Sequence, residues 1–125
     1  MGSGNRIVGE TGEKAAVKFL KAKGYRIIAT NFRTIFGELD VVARCGKTLV
    51  FAEVKTRTTD SLGPPYLAVT WLKQRHIIKN ALFYMKTRGM LDSNWRIDVV
   101  SVKLGLDLAV ENIELIENAV EDRRY

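Results

Sequence analysis

The 125-residue sequence predicts an α/β fold in which a mixed β-sheet is flanked by helices, with the element order αβββαβ and a weaker strand at the end. Two segments carry apolar residues at helical spacing, and four carry the β-branched and aromatic runs of strands. The last of those strands is apolar on both faces from Val99 to Val102, which predicts a central place in the sheet.

Thr11 to Lys23 is expected to be a helix because Ala16, Val17, Phe19 and Leu20 recur on one side of it. Lys21 and Lys23 suit the negative end of its dipole, and Gly24 suits a left-handed stop. Tyr25 to Arg33, Gly37 to Arg44 and Thr48 to Arg57 are three strands, the last two joined by a tight turn at Gly46 and Lys47. Thr58 to Pro65 has loop composition with two prolines. Tyr66 to Arg88 is the second helix, with an apolar stripe of Leu67, Trp71, Leu72, Ile78, Ala81, Leu82 and Met85, and Gly89 ends it. Trp95 to Leu104 and a weaker Leu108 to Ile116 complete the strands, and Glu117 to Tyr125 is a charged tail. No repeat or linker divides the chain, so residues 1 to 125 are read as one domain with residues 1 to 8 as a flexible lead.

Composition narrows the class. A chain of this length buries roughly 68% of the surface its unfolded form exposes, enough for a core without disulfides or a structural metal. The lone Cys45 excludes an internal disulfide framework and a cysteine-based zinc site, and it suits a reducing, cytoplasmic setting. No apolar run approaches the ~18 residues of a membrane span, and no signal-type segment follows Met1. The net charge of +6 is unevenly placed: residues 1 to 91 carry sixteen basic and six acidic groups, and residues 92 to 125 carry four and eight. A basic surface of this kind suits a phosphate backbone, although a solvated helix face gives the same count.

The hairpin is the informative feature. With Gly46 and Lys47 as a two-residue loop, Asp40 lies opposite Glu53 and Glu38 opposite Lys55. Alternation then places Glu38, Asp40, Glu53, Lys55 and Arg57 on one face, with Leu39, Val41, Ala52 and Val54 on the other. Directly opposed carboxylates repel, so Asp40 and Glu53 require a cation. Magnesium or manganese, which takes hard oxygen ligands and often only two carboxylates, would serve, with the Val54 carbonyl as a further candidate ligand. Lys55 could position or deprotonate an attacking water. Glu13 sits at the 3, 4 and 7 spacings from Ala16, Val17 and Leu20 that define the inward helix face, where a carboxylate is seldom unpaired. A solvated hairpin face with cross-strand ion pairs remains the alternative, and apolar flanks at Val42, Ala43, Val50 and Phe51 weigh against it.

An acidic first helix, an Asp on the second strand, an E-x-K on the third and a basic helix after it resemble the PD-(D/E)xK nuclease superfamily and its restriction-endonuclease-like core. More closely, Gly12-Glu13-x-x-Ala16, Asn31-x-Arg33, Gly37-Glu38-Leu39-Asp40, Val50-Phe51-x-Glu53-Val54-Lys55-Thr56-Arg57, Gly63-x-Pro65 and Lys73-Gln74-Arg75 resemble the YraN-like family of small bacterial proteins. That family is described as endonucleases similar to archaeal Holliday-junction resolvases. The resemblance runs from about Gly9 to Val102. It implies metal ligation by Asp40 and Glu53, a catalytic Lys55 and a supporting Glu13. Leu39 stands where the superfamily's name places a proline.

The expected function is that of a magnesium- or manganese-dependent endonuclease acting on DNA, branched or structured DNA included. Arg57, Lys73, Arg75 and Lys79 are the expected nucleic-acid contacts, with Lys73 also a candidate for the site itself. Cutting two strands symmetrically would require a homodimer. A non-catalytic nucleic-acid-binding protein on the same fold and a protein-interaction module are the alternatives. His76 is read as a surface residue among basic neighbours, Cys45 as incidental, Trp71 as core, and Asp98 as paired with Arg96 or facing solvent.

Overall fold

The computed structural model describes residues 2–58 and 71–120, with side chains from Arg6 onward. The expected loop with Gly63 and Pro65, the first turn of the second helix with Leu67, and tail residues 121–125 lie outside the described residues.

Helix α1 (Gly2–Ala22) is followed by β1 (Arg26–Thr34), β2 (Gly37–Cys45), β3 (Thr48–Thr58), α2 (Trp71–Thr87), β4 (Trp95–Leu104) and β5 (Val110–Ile116). The five strands form one sheet in sequence order. β1, β2 and β3 are an antiparallel meander, β4 runs parallel to β3, and β5 returns antiparallel to β4. The two faces carry separate cores. Ala16, Leu20, Val41, Val50, Ala52, Val100 and Val102 pack on the α1 side, and Phe51, Ile78, Ala81, Tyr84, Met85, Ile97 and Val99 on the α2 side. β4 takes buried residues from both sets, as its doubly apolar sequence requires.

The largest departure in element bounds is α1, which starts at Gly2 and not at Thr11. Val8 explains part of the extension: it lies two turns before Ala15 and joins the same apolar cluster. The helix closes as expected, with Gly24 at φ 95° and the Tyr25 N–H donating to the Leu20 carbonyl at 3.0 Å. In α2 the buried face is Ile77, Ile78, Asn80, Ala81, Tyr84 and Met85. Trp71 and Leu72, expected in the apolar stripe, are 62% and 61% exposed, because among the described residues α2 enters the core only from Ile77 onward. Among the described residues no helix is long and apolar enough to cross a membrane.

Candidate active site

The site forms where β2 and β3 part. Their ladder follows the expected register from Cys45 opposite Thr48 up to Val41 opposite Ala52. The next rung would pair Asp40 with Glu53, and it is replaced: the Val54 N–H donates to the Asp40 side chain, Oδ2, at 2.9 Å. A carboxylate oxygen thus takes a place that a backbone carbonyl fills in a regular sheet, and the two strands separate around it. Glu38 does not face Lys55. It accepts from Asn31 Nδ2 at 3.3 Å and lies 3.8 Å from Arg33, which is on the surface.

The same level is irregular in β1. Asn31 has φ 50°, and the ladder with β2 skips the rung between Thr30–Val41 and Phe32–Leu39. Both strands change face there. Leu39 and Val42, three residues apart, both pack on the α2 side, and Ala29 and Phe32 do likewise, whereas Val41 faces α1. Strict alternation, which puts Leu39 with Val41, fails for this reason. The twist turns Asp40 toward a groove that it lines together with Glu13 of α1.

Glu13 is held by Asn31, whose Nδ2 donates to its Oε1 at 3.0 Å. One amide therefore bridges the carboxylates of Glu13 and Glu38. Asn31 was visible in the sequence only as part of the resemblance. Its direct signal, an Asn between Thr30 and Phe32 in an otherwise strand-like run, is the type of residue that tolerates left-handed backbone best after glycine. Glu13 also borders a second hollow with Val54, Lys55 and Thr56, so it stands between Asp40 and Lys55.

The electrostatics fit a crowded carboxyl pair beside two amines. Asp40 and Glu53 lie within hydrogen-bonding reach of one another. Burial, then Asp40, push the Glu53 carboxyl up to about 8, against the pull of Lys55 and Lys73. Burial also raises Asp40, opposed by the Val54 N–H and reinforced by Glu13 and Glu38. The Lys55 ammonium is pushed down, first by burial and then by Lys73. At neutral pH the carboxyl pair holds a proton that a hard divalent cation would displace. Among the described residues no three His, Cys, Asp or Glu side chains converge as a cage. The donor set therefore fits an ion that binds through two carboxylates and keeps water or phosphate in its other positions.

The expected nucleic-acid contacts divide. Lys73 on α2 reaches Glu53 and Lys55, and Arg57 follows Lys55 on β3, half-buried. Arg75 and Lys79 do not join them. Arg75 stacks on Trp71 at 5.8 Å, and Lys79 lies 6.0 Å from the Phe36 ring beside a groove of Ile35, Leu82, Phe83 and Leu91. Helix geometry is the cause, since residues two and six positions after Lys73 are rotated ~200° and ~240° around the axis from it. Asp98 sits beside Ala52, one rung from Glu53, but it is fully buried and tied to other partners. It accepts from Arg96 Nε and the Tyr25 hydroxyl, both at 2.9 Å, and from the Asn118 N–H at 2.9 Å.

The model of the uncharacterised protein family UPF0102 matches residues 12–102, a span that begins at Gly12 on α1 and ends within β4. A UPF0102 protein of Geobacter sulfurreducens is 51% identical over 117 residues, covering 94% of this chain and 91% of the relative. One from Geobacter metallireducens is 47% identical over 117 residues, covering 94% of each, and one from Caldicellulosiruptor saccharolyticus is 42% identical over 114 residues, covering 91% and 97%. The structure of Pyrococcus furiosus SfsA in complex with Ca2+ aligns at TM-score 0.37 and 18% identity, covering 94% of this chain and 65% of that one, a likeness too slight to place any residue. By the family match and the near full-length identity of these relatives, the chain belongs to the UPF0102, or YraN-like, family, which is PD-(D/E)xK nuclease-like.

Proposed function

We propose that this protein is a metal-dependent phosphodiesterase that cuts nucleic acid, DNA first among the candidates. The observation that carries the reading is the Asp40 carboxylate set into the parting of β2 and β3, with Glu53 beside it and Lys55 on the adjoining strand. A magnesium or manganese ion on Asp40 and Glu53 would supply activation of water and neutralisation of the phosphodiester charge. The chain's own residues do the rest. Burial keeps the two carboxyls dry enough to bind a cation in place of their proton. Lys55, whose ammonium is destabilised by burial and by Lys73, is placed to accept a proton from the attacking water or to orient it. Lys73 balances charge as phosphate enters, and Glu13, fixed by Asn31, holds the α1 side of the site. Cleaving a branched substrate on two strands would use two copies of the chain, and the single free thiol suits the cytoplasm.

Purified protein incubated with labelled four-way junction, flap, duplex and single-stranded DNA, with magnesium, manganese or chelator, tests the reading. Cleavage should need the metal and fall at least a hundredfold in Asp40→Asn and in Lys55→Met, both checked for folding by circular dichroism. Cleavage equal in the variants and the parent would refute the site. Tight, salt-sensitive binding with no cleavage of any substrate would favour a non-catalytic nucleic-acid-binding protein.

A further inference from the structure

We infer that the exposed flank of α1 beside the sheet, through Lys14, Lys18 and Lys21, is the track that holds the nucleic-acid strand leading to the site. The inference rests on the phosphodiesterase reading for its direction, and it moves the main phosphate contacts from α2 to α1. The three lysines recur at spacings of four and three residues, so they form one stripe along the helix. All three line a single groove of about 620 Å³ together with Val17, Val41, Asp40 and Glu13.

The dimensions suit a phosphate backbone. Seven residues of helix rise ~10.5 Å, the length of about three nucleotide steps in one duplex strand at ~3.4 Å each. The track also has a direction. Past Glu13 toward the C-terminal end of α1 the groove carries cations alone, whereas on the other side Arg6 and Arg33 share a hollow with three carboxylates, Glu10, Glu13 and Glu38, which repel phosphate. A strand bound with its scissile phosphate near Asp40 therefore has its flank on the Lys14 to Lys21 side. Dipole compensation at a helix end accounts for Lys21 alone, because the effect fades beyond the last turn and leaves Lys14 and Lys18 unexplained. Lys23, by contrast, lies over the Phe19 ring at 5.1 Å and is not among the residues of the groove.

Fluorescence anisotropy with a labelled 20-base-pair duplex and the matching single strand, in chelator so that nothing is cut, tests the track on the full chain. The variant Lys14→Gln/Lys18→Gln/Lys21→Gln is compared with Lys47→Gln/Lys86→Gln/Lys103→Gln, which removes the same charge elsewhere. The first should bind duplex at least tenfold more weakly at 100 mM salt. It should also flatten the dependence of log affinity on log salt by about 2 to 3, near 0.9 per lost contact. The control should change affinity less than threefold and keep the slope. Equal losses in the two triple variants, or no binding by the parent, would overturn the track. A parent that binds through the track yet cuts nothing with magnesium would refute the phosphodiesterase reading and leave the track standing.

Discussion

Gly12 of α1 lies against Thr56 of β3 so closely that a β-carbon on Gly12 would sit 1.9 Å from Thr56 Oγ1, 2.5 Å from its Cγ2 and 2.7 Å from its Cβ. This contact sets how near Glu13 comes to the parting of the strands, since Glu13 is the next residue and shares a hollow with Lys55 and Thr56.

Gly12→Ala should destabilise the protein by about 2–3 kcal/mol, although alanine in a free helix is ~1 kcal/mol better than glycine. Thr56→Ala should not rescue it, because rotation or truncation of the threonine leaves its Cβ in place. Urea denaturation of the single and double variants decides the matter. A stabilised Gly12→Ala would mean that α1 can move off the sheet freely.

Asn31 combines a left-handed backbone with a bridging amide, and two substitutions separate them. Asn31→Gly keeps the conformation and loses the donors to Glu13 and Glu38, at a cost of about 1 kcal/mol. Asn31→Val loses both and should cost about 2–3 kcal/mol, because a β-branched residue is strained at positive φ. Equal denaturation midpoints for the two variants would contradict the separation.

Stability without metal should depend on pH through Glu53. Its carboxyl goes from an ordinary 4.5 to about 8 on folding, so between those values the folded protein holds more protons than the unfolded chain. The Glu53 contribution is then full below pH ~4.5 and is lost as pH rises toward 8, several kcal/mol in all. Glu53→Gln should remove this slope. Magnesium should raise the melting temperature more at pH 8 than at pH 5, because at pH 5 it must displace the proton. Scanning calorimetry in chelator and in magnesium reads both effects, and a parent whose stability rises from pH 5 to 8 in chelator would refute the assignment.

Asp98, one rung from Glu53 on β4, is held by a separate network. Its buried carboxylate satisfies Arg96, Tyr25 and the Asn118 backbone, and Arg96 in turn reaches Glu117 at 3.2 Å. Asp98→Ala should cost about 3–5 kcal/mol by leaving Arg96 and the tyrosine hydroxyl without their acceptor. Loss of folding in this variant, with near-normal folding in Asp40→Ala, would separate a carboxylate the fold requires from one it does not. Denaturation midpoints for the two give the comparison.

Much was legible in the residues themselves. The strand β4 falls on Trp95–Leu104 as the sequence indicates, and the hairpin register holds through Val41 and Ala52. Both follow from local rules, alternation and turn length, that act within a few residues. Those rules fail first at Asp40, where the sequence alone predicts a rung facing Glu53 and the protein places a side-chain hydrogen bond to Val54. They fail for the basic helix as well, because net charge says nothing about which way each lysine points.

The sequence by itself determined the order of elements, the interior place of β4 in the sheet and the candidate residues of the site, Asp40, Glu53, Lys55 and Glu13. Only the tertiary structure decided how they meet. Asn31 in a left-handed conformation turns two strands together, Gly12 lets α1 lie against β3, and Lys73 rather than Arg75 or Lys79 reaches the carboxyl pair. The physical reason is common to all three. Periodicity is a property of a single segment, whereas a strand parting, a close helix approach and a shared proton each depend on groups brought together from separate segments, and their energies exist only once the chain is packed.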